Sequence, residues 1–337
     1  CAEMIRYDDL NDGIIISTRV RLARNIDKTP FPAALSDDAK AKVSKKLQAS
    51  ILESNSTLSK DFDLYDLDKL GRTEKVSMFE EHLISPQMVD GKGHSVLVNK
   101  NKTMSIMFME EDHIRLQVIM GGYCLDEAYD LADKVDDVIE ESITYAFDEN
   151  FGYLTACPTN AGTGLRASVM MHLPALTMTG NIGRVTQSVA SVGIAVRGLY
   201  GEGTEADGCL YQISNQITMG LTEKEIIAKV KSAVDRLSEL EKQARDALLK
   251  SRRLELEDKI CRSYGILKYA RSITSAEAKT RLSDVMLGQN MGIIKCDGDM
   301  TPIELMVKTA PSVVAGGKEL APGERDKVRA ELIRANI

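Results

Sequence analysis

The sequence predicts an α+β fold over residues 1–250 and an all-helical region over residues 251–337. Three observations predict it. Apolar strand-like runs alternate with helical periods as far as about residue 220. Two of those runs are joined by Lys100-Asn101-Lys102-Thr103, a polar hairpin-type turn, so the sheet is not a strict strand–helix–strand repeat. Beyond residue 220 the spacing becomes helical almost throughout.

In chain order, strands are expected at Ile14–Ser17, Ser95–Asn99, Met104–Phe108, Tyr153–Cys157, Ile194–Tyr200 and Cys209–Ile217, each a short run bounded by polar or turn residues. Leu125, Ala128, Ala132, Val135, Ile139, Ile143 and Ala146 share one face of a helix over Leu125–Ala146. A shorter helix carries Ile182, Val185, Val189 and Val192. Thr222 and Glu225 form a capping-box signal ahead of Ile226, Ile227, Val230, Val234, Leu237 and Leu240, and Thr274 with Glu277 repeats it. Gly288, Pro302, Pro311 and Gly316-Gly317 divide the remainder into short helices. The long helix after Thr222 is expected to close the first domain, which sets the boundary near residue 250.

Composition narrows the function classes. Of 337 residues, 43% are apolar and 28% charged, enough apolar surface to offset chain entropy in a globular protein. A net charge of −7 disfavours nonspecific nucleic-acid binding, which needs a basic surface. The longest apolar stretches are short, such as Val169-Met170-Met171, which His172 interrupts; a membrane helix needs about 20 such residues. No basic segment followed by an apolar one opens the chain, so no secretory signal is expected. Six cysteines are widely spaced without a C-x-x-C pair, and the four histidines show no metal-ligand spacing. A reduced, cytoplasmic protein without a protein-built metal site is the expectation.

Five stretches carry more polar, charged and glycine residues than a scaffold needs: Ser17–Arg21, Glu110–Arg115, Cys157–Arg166, Arg197–Gly203 and Arg325–Ala330. Arg19 and Arg21 are two apart and face the same way in extended chain. Arg166 follows a glycine-containing loop and is expected to open a helix, and Arg197 lies in an apolar run where a charge requires a partner. Converging arginines would cage a polyphosphate bidentately; separate salt bridges fit the same spacing. A P-loop is excluded, and Gly201-Glu202-Gly203-Thr204-Glu205-Ala206 lacks the following helix that a dinucleotide site needs. The adjacent acids Glu110, Glu111 and Asp112 suit a bound cation and proton transfer, or a solvated turn. Glu202, between two glycines, is unshielded. Cys157 precedes Pro158, where a buried inert thiol and a reactive one are both open readings. His82 and His113 read as structural.

The run Cys157-Pro158-Thr159-Asn160-Ala161-Gly162-Thr163-Gly164-Leu165-Arg166-Ala167-Ser168 closely resembles the signature of the ATP:guanido phosphotransferases, the phosphagen kinases. Ser17–Arg21 and Glu110–Arg115 resemble two further blocks of that family in the right order, and the resemblance covers about residues 12–250. It implies a phosphagen-kinase-like, glutamine-synthetase-like catalytic domain, with an antiparallel sheet flanked by helices. Only 16 residues precede Ser17 here, so the helical domain that small-molecule members carry there is expected to be missing, and a helical tail follows instead. Arg197–Gly203, Gln212–Ile217 and Arg325–Ala330 are similar to the bacterial branch that phosphorylates arginine side chains in proteins.

By resemblance, Glu111 and Glu202 hold the guanidinium, Glu111 is the general base, and Cys157 sits beside it as a thiolate. The resemblance implies nucleotide binding by Ser17, Thr18, Arg19, Val20, Arg21, His82, Arg115, Arg166, Ala167, Ser168, Val169, Met170, Arg197, Gly198, Leu199, Tyr200 and Gly201. Arg325, Asp326, Arg329 and Ala330 are implied to form an allosteric phosphoarginine pocket. The implied cofactors are ATP and Mg2+, the metal held by phosphates and water. The implied partners are protein substrates with exposed arginines (stress-response repressor and damaged proteins among them), a zinc-binding activator, the Clp protease machinery and a second copy in a homodimer, with neither nucleic acid nor membrane. A kinase of free guanidino compounds, a non-catalytic nucleotide-binding regulator and a phosphoarginine-binding adaptor are the alternatives.

Overall fold

The computed structural model describes residues 12–198, 207–316 and 320–337. Strand β1 (Ile15–Arg24) alternates in burial, with Thr18, Val20 and Leu22 on one face and Arg19 and Arg21 on the other. It outruns the expected Ile14–Ser17 because its outer face is charged, so the apolar run stops while the period-2 pattern continues. Then come helix α1 (Asp37–Leu52), strand β2 (Phe62–Asp66), helices α2 (Arg72–Glu80) and α3 (Pro86–Asp90), strands β3 (Ser95–Asn99), β4 (Met104–Phe108) and β5 (Ile114–Gly121), and helix α4 (Leu125–Glu140). Ser36 caps α1 by accepting the Ala39 N–H.

Two compact units result, each assembled from separate stretches. The described residues of the first are Ser17–Val169 and Ser214–Ser232. Its strands lie in the order β2-β3-β4-β5-β1, every neighbouring pair antiparallel. β3 and β4 are buried along their whole length, and the 100–103 turn between them is the expected hairpin, with Lys102 at φ 55° and Met104 N–H donating to Asn99 Oδ1. Helix α4 buries Leu125, Ala128, Ala132, Val135 and Ile139, but stops six residues before Ala146. There the backbone is claimed elsewhere: Ala146 N–H donates to Asn25 O, and Leu154 N–H donates to Ala146 O.

A short hairpin of β6 (Phe147–Asp148) and β7 (Gly152–Tyr153) follows. The expected strand over Tyr153–Cys157 is confined to its first residue, because the Ala156 N–H is taken by the Asp112 carboxylate and Pro158 has no N–H to give. β8 (Leu165–His172) neighbours β1, so Arg166 lies in a strand and the helix expected to open there is absent. The reason is tertiary. Asn215 accepts from Ala167 N–H and donates to Leu165 O, holding the chain extended on both sides of Arg166.

The described residues of the second unit are 12–16, 170–198, 207–213, 233–316 and 320–337. It contains α5 (Pro174–Met178), α6 (Ile182–Ala190), β9 (Ile194–Gly198) and most of β10 (Leu210–Asn215), then the greater part of α7 (Glu223–Ser251). α8 (Arg253–Tyr269), α9 (Ser275–Asn290), α10 (Pro302–Lys308), α11 (Pro311–Ala315) and α12 (Pro322–Asn336) complete the chain. Leu267, Leu282, Val285, Leu305 and Ile333 centre its core. Both expected caps form: Thr222 and Glu225 exchange bonds ahead of α7, and Thr274 Oγ1 accepts the Glu277 N–H at the start of α9. Among the described residues no helix is long and apolar enough to cross a membrane.

Candidate active site

The antiparallel register of β1 and β5 sets the first unit's charged face. Arg21 stands opposite Gln117 and Ala23 opposite Arg115, so Arg19, Arg21 and Arg115 share one side of the sheet. Arg166 reaches the same neighbourhood from β8: the charges of Arg115 and Arg166 both act on Arg19 and on Arg21. Burial first and then this repulsion lower the Arg19 pKa to about 10, and Arg21 is lowered further by the same causes. The Nε of Arg21 is buried with no hydrogen-bond partner among the described residues.

Glu110 is the counter-charge in reach, with Oε1 2.5 Å from an Arg115 guanidinium nitrogen. Burial alone would raise the Glu110 pKa, but its contacts with Arg115 win and hold it below the ordinary value. Four guanidiniums gather on this face, Glu110 pairs with Arg115, and among the described residues the Arg21 Nε is an orphaned donor. That arrangement fits a polyphosphate, whose oxygens accept several charge-assisted bonds at once.

His82 is placed over this face by Gln117, whose Nε2 donates to the His82 carbonyl at 2.6 Å. Its backbone is left-handed at φ 61°. The residue is exposed at the surface, while desolvation by the protein around it and then the charge of Arg19 lower the imidazole pKa to about 4. His113 is structural as expected, with Nδ1 accepting from Ile26 N–H and Nε2 bonded to Pro30 O.

The acidic turn between β4 and β5 faces a different task. Met109 turns at φ 61°, and Glu111 is half-buried. Burial, then the charges of Asp112 and Glu110, raise the Glu111 pKa against the opposing pull of Arg115. Asp112 is buried, and its Oδ1 accepts from Asn25 Nδ2 at 2.6 Å and from Ala156 N–H at 2.7 Å. The second bond ties the residue after Glu111 to the residue before Cys157, so the acidic turn and the loop that carries the thiol are joined at that point. Cys157 is half-buried, with Sγ 3.0 Å from Thr159 Oγ1.

The loop after Cys157 is fixed by backbone contact rather than by side chains. A Cβ on Gly162, at φ 107°, would sit 2.3 Å from Thr218 O, and one on Gly164, at φ 64°, 2.6 Å from Ala23 O. Only glycine fits either place, and together they lay the loop against β1 and bring Arg166 into the cationic face.

The structure thus assembles Arg19, Arg21, His82, Arg115, Arg166, Glu110, Glu111 and Cys157 in one unit. Ser17 and the buried Thr18, Val20, Ala167, Ser168 and Val169 are the strand residues between and beside these arginines, and Ser168 Oγ donates to Arg19 O. Met170, Arg197 and Gly198 belong to the second unit. Leu199, Tyr200, Gly201 and Glu202 lie outside the described residues.

The tail block sits on α12 in the second unit. Arg325 and Asp326 are half-buried, while Arg329 and Ala330 are buried. The Arg329 guanidinium is committed: it donates to Thr309 O, Ile273 O and Asp326 Oδ1 at 2.9, 3.0 and 2.5 Å. Arg325 and Arg329 stand at i and i+4, a spacing that puts two like charges on one helix face, and packing turns Arg329 inward as a tie between segments. Sequence reasoning did not single out Asn25 or Gln117, because a positioning amide carries no motif of its own, and it quoted Asn215 only within the Gln212–Ile217 block, without a role.

Residues 42–244 match the family described as ATP:guanido phosphotransferase, C-terminal catalytic domain, and residues 253–337 match Protein-arginine kinase McsB C-terminal domain. A protein-arginine kinase of Caldanaerobacter subterraneus subsp. tengcongensis is 44% identical over 336 residues, covering 99% of each chain. One of Halothermothrix orenii is 48% identical over 328 residues, covering 96% of this chain and 93% of its own. The duplicated taurocyamine kinase of Schistosoma mansoni with bound transition state analog components is similar in structure, at TM-score 0.60 and 28% identity over 68% of this chain. The match spans 33% of that longer chain, about a third of its length. A lombricine kinase crystal structure, at TM-score 0.61 and 24% identity over 72% of this chain and 71% of the other, shares the fold.

Proposed function

The chain belongs to the ATP:guanido phosphotransferase family, and from that premise we propose that it transfers the γ-phosphoryl group of ATP to arginine side chains of proteins. The observation that carries the reading is the juxtaposition, in one unit, of a four-arginine face with an orphaned buried donor and an acidic turn tied to Cys157. The full-length similarity to protein-arginine kinases selects proteins as the acceptor.

Each residue then has a task. Arg19, Arg21, Arg115 and Arg166 bind the triphosphate and hold the charge that develops on the transferring phosphoryl group, with His82 near the nucleotide. A guanidinium is protonated below pH about 12 and is a poor nucleophile in that state, so a proton must leave as the bond forms. Glu111 is the general base, and its raised pKa makes it a stronger one than an ordinary carboxylate. Glu202 would hold the guanidinium from another side, and Cys157 as a thiolate would add negative charge beside it. Among the described residues no three His, Cys, Asp or Glu side chains group as a metal site; Mg2+ would arrive on the nucleotide, ligated by phosphate and water. Alignment and charge stabilisation supply the rate, as in phosphoryl transfer generally.

In this reading residues 1–250 carry the reaction. Residues 251–337 carry a phosphoarginine-responsive pocket at Arg325, Asp326, Arg329 and Ala330 that feeds back on it. Family resemblance further assigns a cytoplasmic setting, homodimerisation, a zinc-binding activator, and repressor and damaged proteins marked for a Clp protease. The test is mass spectrometry, under non-acidic conditions that spare the P–N bond, of a protein mixture incubated with MgATP. Phosphoarginine on the proteins supports the reading; ADP production with free arginine alone identifies a small-molecule kinase instead, and binding without turnover an adaptor.

A further inference from the structure

Apart from the arginine face, the first unit carries an open groove of about 390 Å³ between the β6–β7 hairpin and the segment before α7. Its walls are apolar and exposed. Phe147 and Phe151 are 59% and 55% accessible on the hairpin, and Met219 faces them at 44%. Exposed aromatics so grouped mark an interaction surface rather than chance exposure.

The mount is rigid. A hairpin with two-residue strands is marginal by itself. Here Tyr153 meets Phe147 edge-on at 5.3 Å and Tyr145 at 6.0 Å, and the Arg24 guanidinium lies 3.6 Å from the Tyr153 ring centroid. Arg24 is itself anchored by Asp136 at 2.7 Å. The two phenylalanines are therefore presented on a fixed platform, which cuts the ordering cost of binding.

Two properties say what the groove holds. Its charged lining residues among those described are Glu223 and Glu225, the latter also accepting the Thr222 N–H. It suits an apolar chain segment with positive charge. The groove is also continuous with the reacting centre. Gly162 in its floor exchanges backbone bonds with Tyr153, and Thr218 Oγ1 donates to Thr159 O and Ala161 O, so the 157–163 loop has Cys157 at one end and the groove at the other. Four residues separate Cys157 from Gly162, three of them in a 3-10 turn over Pro158–Asn160, so the two lie well within the extended limit of about 17 Å.

We propose that this groove binds the polypeptide flanking the arginine that is phosphorylated, seating an apolar side chain about five positions from the target. The proposal rests on transfer to protein arginines as read above. It makes the enzyme select arginines in segments whose apolar residues are exposed, as they are not on a folded surface.

The test compares two peptides with one arginine each, one carrying phenylalanine five residues away and the other serine there. The wild-type protein should show a KM about tenfold lower for the phenylalanine peptide, the scale of burying one apolar side chain. Phe147→Ser/Phe151→Ser, and separately Met219→Ser, should erase that preference by raising the KM of the phenylalanine peptide; all three positions are exposed, and circular dichroism checks the fold. Equal KM values for the two peptides in the wild type, or a preference that survives the substitutions, overturn the groove. A loss of dimer mass in the double variant by sedimentation, with the preference intact, assigns the surface to a second copy and overturns it too. Should neither peptide be phosphorylated by the wild type, the transfer reading fails by itself. Fluorescence anisotropy of the labelled phenylalanine peptide then decides the groove: binding lost in the double variant supports it, binding retained or absent throughout overturns it.

Discussion

Replacing Asp112 with alanine tests the bond that holds the acidic turn to the thiol loop. Asp112 is 3% exposed, and its Oδ1 accepts from both Asn25 Nδ2 and Ala156 N–H. Asn25 keeps a second acceptor in Leu154 O, but the Ala156 N–H loses the partner shown for it. Ala156 is half-buried, so its orphaned donor costs toward the low end of about 1–3 kcal/mol, and the lost bond from Asn25 to a charged acceptor about 1.5–3 kcal/mol. Relief runs the other way. Burial foremost, and then Glu110, raise the Asp112 pKa, so the folded state resists its charge. The net expectation is a loss of about 2–4 kcal/mol in urea unfolding at neutral pH. Activity should fall further than stability, because release of Ala156 lets Cys157 drift from Glu111, and a misplacement of about 1 Å can cost about a hundredfold in rate. The assays are urea titration by circular dichroism and phosphorylation of a protein substrate with MgATP at saturating nucleotide. An unfolding midpoint unchanged from wild type, with kcat within twofold, would refute the reasoning.

Four other outcomes are expected. Glu111→Gln should lower phosphorylation of a protein substrate by at least about a hundredfold with the fold intact, as should Glu202→Ala; turnover like wild type in either removes that residue from the assignment. Because the Glu111 pKa is raised, the base is protonated and inactive below it, so kcat/KM should climb with pH through a value above the ordinary carboxylate range. Asp112→Asn removes one of the raising charges and should move that acid limb to lower pH, which a pH–rate profile reads directly. Arg19→Gln should raise the melting temperature of the nucleotide-free protein, since burial and like charge disfavour the protonated Arg19, and should abolish the further rise that ATP brings; thermal-shift curves with and without ATP check both signs. Arg329→Ala should destabilise the tail by about 3–5 kcal/mol through loss of its buried ties, whereas Arg325→Ala should keep the fold and lose phosphoarginine binding in titration calorimetry.

Some elements could be read directly and others could not. β3 and β4 were legible because both are short apolar runs beside a polar turn, and the caps at Thr222 and Thr274 because a capping box is a local device. β1 was seen only at its start, since alternating arginines hide a strand from any apolar count. β2 and β5 were not anticipated: β2 buries only Phe62 fully, and β5 begins directly after the acidic turn that drew attention to chemistry instead. At Arg166 the local pattern suggested a helix, and neighbouring β1 together with the Asn215 bonds drew the chain into a strand.

The residue types needed to grip a polyphosphate and deprotonate a guanidinium stand in the chain in blocks, and their chemistry is intrinsic to each side chain, so the sequence by itself determined the family and the candidate groups. Their meeting depends on antiparallel register, on glycines that admit a carbonyl where a Cβ would collide, and on buried amides such as Asn25 and Gln117. None of these is a property of neighbouring residues along the chain. The cationic face, the raised pKa of Glu111 and the inward turn of Arg329 were decided by packing, because repulsion, desolvation and hydrogen-bond satisfaction act between residues that only folding brings within range.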